Sequence, residues 1–278
     1  MYTSLHALFL AATVIVGTLT PSHARSLETH GNDNNNSDAS ALADYNILLR
    51  THVDDLGFVD YDALHADPAA LHAYVDSLAD LANVPSVEDY DARLATLINA
   101  YNAFTLQLIL DHWDQFESGQ TTSITQLHGG KPWDQPLWNL AGQTVSLNQL
   151  EHELIRRDLL TEDGVVGAAE PRLHWAVVCA AYSCPPLRAE AYTASDLDAQ
   201  LADQERRVLL ADDDRFIQTK NNRVTAVTQL FNWYGSDFGT PRTPYLQHAT
   251  GHRVPRPPPK HTQHKGTNTP PQPPPTRN

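Results

Sequence analysis

The sequence predicts a mainly helical α+β fold: a single globular domain with a small β-hairpin and disordered termini. Three observations lead there. Residues 94–110 are apolar almost all round, the pattern of a helix enclosed by other elements. Amphipathic helical stretches flank it on both sides. One pair of short strand-like runs, 216–219 and 224–227, meets across the turn-forming Asn221-Asn222. With 278 residues, 41% of them hydrophobic, the chain can bury a core of about 200 residues and leave both ends outside it.

Taken in order, residues 1–24 read as a secretory signal. The apolar run Ala7 to Val16 precedes Gly17, Pro21 and the small-x-small site Ser22-His23-Ala24. That run is shorter than the roughly 20 residues that span a bilayer, so export with cleavage is expected, and no stable membrane span after signal removal. The expected location is periplasmic or extracellular. Residues 25–39, with Asn34 to Asn36 among polar neighbours, read as a disordered spacer.

The folded domain is expected over 40–240. Helical periodicity begins near Ser40 and includes Leu42, Tyr45, Leu48 and Leu49. A short extended element follows at Gly57 to Tyr61, and an amphipathic helix over about Pro68 to Leu81. The central helix spans about Val87 to Trp113. Asn99 and Asn102 share its inner stripe with Leu106 and Ile109, so both amides point inward. An unpartnered buried amide costs about 1–3 kcal/mol, so each needs a partner. That partner is either a neighbouring loop's backbone, or a catalytic side chain or substrate carbonyl.

A long connection covers 114–145, where Trp133 and Trp138 either wall a pocket or fill core. Ser146-Leu147-Asn148-Gln149 is a capping box opening a helix that runs to about Leu160, with Glu151 and His152 beside its apolar face and Arg156 one turn on. Ser195 with Asp198 is expected to cap a further helix through Leu210, and Gln229 to Phe238 closes the ordered part. Residues 241–278 are proline-rich, basic and without apolar periodicity, and are expected to be a disordered tail.

The stretch from Glu170 to Leu187 holds both cysteines, a histidine and an arginine in an otherwise apolar run. Pro171 suits the first turn of a helix and Pro185-Pro186 forbids its continuation. The reading is a buried helix over 171–182 and a sharp exit over 183–186, which leaves Cys184 accessible. Cys179 and Cys184 are too far apart to bridge on one helix, so a disulfide requires the chain to leave the helix between them.

The formal net charge is −14, and residues 1–240 carry 13 basic against 33 acidic side chains. An acidic body argues against nucleic acid as a partner and is consistent with a solvated surface. No other partner is indicated, and nothing in the sequence calls for a cofactor.

Several motifs in order carry a resemblance. Asn99-Ala-Tyr-Asn102, Ser146-Leu147 leading to Glu151-His152, Arg172-Leu-His174 and Ser183-Cys184-Pro185-Pro186 together resemble the DUF547 family, a family of unknown function. Phe58-Val59-Asp60-Tyr61 and Trp233-Tyr234 with Asp237-Phe238 resemble its flanking pieces. The likeness covers about residues 40–240 and implies an exported bacterial member, without implying a reaction. After Phe238 the sequence departs from the pattern: the family implies a further apolar helix where the proline-rich tail begins, whether as a natural extension or through a shifted reading frame.

Three functional readings follow from the residues. In the first, a thiol enzyme for acyl transfer or hydrolysis, Cys184 is the nucleophile, His174 or His152 its base, and Glu151 or Asn102 orients the histidine. Asn99, Arg172, Ser183 and Trp133 would contact substrate, with Arg172 stabilising negative charge. Export points that enzyme at cell-envelope amides or esters. In the second, the same polar residues form a structural network in a non-catalytic binding or scaffolding domain. In the third, His152, His174, Glu151 and a cysteine hold zinc, a reading supported by residue type and not by ligand spacing.

Overall fold

A computed structural model describes residues 34–156, 170–211, 215–221, 223–239 and 243–250. The expected signal segment, residues 25–33 of the expected spacer and the tail beyond 250 lie outside the described residues. The fold is mainly helical α+β.

Helix α1 (Asn34–His52) starts inside the stretch expected as spacer. Tyr45, Leu48 and Leu49 are buried on it, and Tyr45 stacks on Tyr74 with ring centroids 4.4 Å apart. The chain turns back at Gly57 and forms a single antiparallel bridge, Val53 to Val59, where an extended element was expected. Asp60 caps α2 (Tyr61–Ala66) and Pro68 precedes α3 (Ala69–Ser77). Helix α4 (Tyr90–Leu110) is the buried centre, with every residue from Leu97 to Leu106 enclosed. A short α5 (Trp113–Glu117) follows. The expected long connection contains a second hairpin, β1 (Trp138–Leu140) and β2 (Gln143–Val145), with Ala141 and Gly142 both at positive φ in its turn. Trp138 is used as core, stacked on Phe104 of α4.

The capping box forms as read. Ser146 Oγ accepts from Gln149 N–H and Gln149 Oε1 accepts from Ser146 N–H, opening α6 (Leu147–Gln149). The helix then widens into a π-turn over Leu150–Ile155, closed by Arg156 N–H donating to the Glu151 carbonyl at 3.0 Å. The remainder of the helix expected to Leu160 lies outside the described residues.

The helix expected over 171–182 is far shorter. Helix α7 (Leu173–Ala176) ends because Val177 is extended, at φ −94° and ψ 134°. Asn102 takes up the backbone groups that a longer helix would have paired internally. Its Nδ2 donates to the Ala176 carbonyl at 3.0 Å, and its Oδ1 accepts from Val178 N–H at 3.1 Å.

Helix α8 (Leu197–Leu209) buries Leu197, Leu201, Val208 and Leu209. The Ser195–Asp198 capping box does not form: Asp196 is the N-cap without a side-chain cap bond, Ser195 turns to Asp196, and Asp198 pairs with Arg172. The predicted hairpin is present as β3 (Ile217–Lys220) and β4 (Arg223–Val227). Helix α9 (Leu230–Trp233) follows it.

Beyond residue 240, where disorder was expected, α10 (Thr243–Thr250) packs on α8. Leu246 is buried, and Tyr245 accepts from Trp175 Nε1–H and donates to Glu205. Two apolar clusters result. One surrounds α4; the other joins Trp175, the β3–β4 hairpin, Phe231, Phe238 and Leu246. Helix α7 lies at their seam, with Leu173 in the first and Trp175 in the second.

Candidate functional site

His174 leaves α7 at that seam. Its Nε2 bonds Asp237 Oδ2 at 2.8 Å, its ring stacks on Tyr234 at 4.1 Å, and both partners come from the chain after α9. The same carboxylate oxygen accepts from Arg156 Nε and Nη2, at 3.0 and 2.7 Å. Burial would raise the Asp237 carboxyl, but the bonds from His174 and Arg156 outweigh it and hold the group at about 2. Asp237 is therefore a carboxylate near neutrality. A carboxylate only accepts, so Nε2 carries the proton and Nδ1 is the basic nitrogen of neutral His174.

The π-turn places a second acidic centre beside the first. Glu151 accepts from Tyr234 OH at 2.8 Å and from Tyr101 OH of α4 at 3.3 Å. Burial, reinforced by the Glu151 charge, pushes both phenols well up, so both remain donors. His152 Nδ1 lies 3.2 Å from Arg156 Nη1 and 3.8 Å from Glu151 Oε1. The Arg156 guanidinium sits 4.7 Å from the centre of the Tyr234 ring. Regular i, i+4 spacing would turn this face differently, and single π-turns recur where helices present functional side chains.

Tyr101, Glu151, His152, His174 and Tyr234 line one cavity of about 630 Å³, within the range of small-molecule sites, with Asp237 and Arg156 behind its wall. Glu151, His152, His174, Ser183, Cys184 and Trp133 all lie on its walls, so the structure brings six of the expected site residues together.

Three expected site residues are placed elsewhere. Asn102 clamps the Ala176–Val178 backbone as described. Asn99 does the same to another loop, donating to the Tyr192 carbonyl at 2.8 Å and accepting from its N–H at 2.9 Å. Neither amide reaches the cavity, because the buried irregular segment after α7 has backbone groups that no helix or sheet satisfies. Arg172 forks onto Glu170 and reaches Asp198 Oδ1 at 2.8 Å, off the cavity wall, so it is not placed to stabilise charge on a bound substrate.

Cys184 is also corrected in state: it is bridged to Cys179. Early termination of α7 is what permits the bond, since the chain turns at Ala180, φ 49°, and brings the two Cα atoms to 5.9 Å. A bridged sulfur offers no thiolate, so Cys184 is not a nucleophile in this form. As for zinc, among the described residues no group of three or more His, Cys, Asp and Glu is arranged to hold a metal ion.

Sequence reasoning missed Asp237 and Arg156 as site residues, although both had been noticed. Arg156 lies one turn after His152, and Asp237 belongs to a flanking motif. Their separation of 81 residues gave no sign that they meet.

Residues 85–209 match the model of a family described as "Protein of unknown function, DUF547". The chain carries a DUF547 domain. The match runs from just before α4 to the end of α8 and is shorter than the expected 40–240. It therefore includes Glu151, His152, His174 and both cysteines, but not Tyr234 or Asp237, which complete the site from outside the matched DUF547 segment. No curated protein and no solved structure matched the chain.

Proposed function

We propose that the DUF547 domain is an acyl-transfer or hydrolytic enzyme that becomes active when its disulfide is reduced. The observation that carries this reading is that His174, bonded to Asp237, lines the same cavity as Cys184. A histidine held by a buried carboxylate, in one cavity with a cysteine, supplies the parts of a thiol acyltransferase. Asp237 fixes the tautomer and stabilises the imidazolium that forms in the reaction.

A dithiol reductant transfers two electrons and two protons to the bridge and is itself oxidised to a disulfide, leaving Cys179 and Cys184 as thiols. His174 Nδ1 removes the Cys184 proton, and the thiolate attacks the carbonyl carbon of an amide or ester. As the bond to the leaving group breaks, His174 returns the proton to the departing amine or alcohol. Water then cleaves the acyl-cysteine, with His174 taking its proton, and restores the Cys184 thiol. With an export signal over residues 1–24, the substrates would be amides or esters of cell-envelope material.

A second reading has its own support. The Cys179–Cys184 bridge and the backbone clamps of Asn99 and Asn102 favour a non-catalytic binding domain whose polar network holds the loops. Turnover of p-nitrophenyl esters with and without dithiothreitol separates the two. The enzyme reading expects activity in the reduced protein only, and a loss of about 100-fold or more in both His174→Ala and Cys184→Ser. It also expects Cys179→Ser to be active without reductant. Absence of turnover in reduced wild type and in Cys179→Ser, both shown to be folded, leaves the binding domain.

A further inference from the structure

The loop closed by the disulfide separates the acid–base cavity from a second one of about 460 Å³. Val178, Cys184, Pro185 and Arg215 line both, so the two adjoin along a shared wall. Their walls differ in character. The first carries Glu151, two histidines and Lys131; the second is floored by Leu106 and Ile109 of α4 and walled by Val59, Trp113 and Phe116. At its mouth Phe58 and Tyr182 stack at 6.1 Å with rings 12° from parallel, yet they remain 43% and 54% exposed. The Arg215 guanidinium lies 5.8 Å from the Phe58 ring and 5.1 Å from that of Tyr182, at the shared wall.

We infer that this second cavity is the subsite for the apolar acyl chain of a ligand whose carbonyl head lies in the polar cavity. Two large rings left in water forgo about 25 cal/mol per Å² of burial, and an alkyl chain laid between them and the aliphatic floor recovers it. The shared wall fixes the polarity of the ligand. A molecule reaching across that wall meets donors and acid–base groups at one end and hydrocarbon at the other, with a guanidinium where the two cavities adjoin. A wholly polar ligand leaves the rings exposed, and a wholly apolar one strips water from Glu151 and His174 without replacing its hydrogen bonds. Placement of the head beside His174 rests on the proposed acyl chemistry; occupation of the groove by the chain does not.

Calorimetric titration of the full chain with sodium octanoate, with sodium acetate as the short-chain control, tests the groove in both redox states. Octanoate is expected to bind and acetate not. Phe58→Ala and Tyr182→Ala each should weaken octanoate by roughly tenfold, while Tyr182→Phe, which keeps the ring, should bind as wild type. Both positions are exposed, so these variants are expected to fold. Octanoate that fails to bind wild type, or that binds both alanine variants as tightly as wild type, overturns the subsite. In parallel, hydrolysis of p-nitrophenyl octanoate should exceed that of the acetate ester, and Phe58→Ala should remove the difference. Octanoate binding without any hydrolysis leaves the subsite standing and removes the enzyme reading. Hydrolysis indifferent to chain length, with no octanoate binding, does the reverse.

Discussion

At the scale of the residue, Asn99 and Asn102 show how one side-chain type serves a need that sequence alone does not reveal. Each amide presents both N–H donors and a carbonyl acceptor, and so can pair a C=O and an N–H that an irregular peptide stretch leaves without partners. Asn102 spends both on Ala176 and Val178, and Asn99 spends both on Tyr192. The inward direction of both amides was legible from their spacing on α4. Whether they faced substrate or backbone was not, because the choice depends on a loop about 75 to 90 residues away. Asn102→Ala should cost about 2–4 kcal/mol in urea unfolding, since it orphans a buried carbonyl and a buried N–H. Loss of turnover with unchanged stability would instead return Asn102 to the reaction.

At the scale of the element, helix ends decide where the cavities lie. The capping box at Ser146 was readable because its two hydrogen bonds join residues three apart, and α6 begins there as expected. The end of α7 was not readable. Pro185-Pro186 marked the latest place where the helix could stop, whereas the clamp from Asn102 stops it nine residues earlier, and this freed length makes the disulfide loop. The loop is then held from outside by Gly57, at φ 82°, where an added Cβ would lie 2.3 Å from Pro186 Cβ and 2.8 Å from the Leu187 carbonyl oxygen. Gly57→Ala should therefore lower stability by about 2 kcal/mol or more, combining left-handed strain with a backbone collision. An unchanged thermal midpoint would mean that the turn does not pack against the proline exit.

At the scale of the whole molecule, Asp237 ties the two apolar clusters together through Arg156 after α6 and His174 of α7. Its carboxyl lies at about 2 in the folded chain against an ordinary 3.8, so on acidification the unfolded chain takes up the proton first. The stabilisation is complete above about pH 4 and is lost as pH falls toward about 2. Denaturant unfolding from pH 7 to pH 2 should show this decline in wild type and a shallower one in Asp237→Asn. That variant should also lose about 1–3 kcal/mol at pH 7, because Arg156 and His174 give up their shared acceptor. Equal pH slopes in the two proteins would show that this carboxylate is not held low by folding. What the sequence by itself determined was local: the buried helix, the capping box and the β3–β4 hairpin. These follow from periodicities and short-range hydrogen bonds within a few positions of one another. Only the tertiary structure decided that Asp237 orients His174, that Cys184 is bridged, that the asparagines serve the backbone, and that α10 folds onto α8. Each of those is a contact between segments distant in the chain, fixed by which buried polar groups and apolar faces remain to be satisfied once the helices have packed.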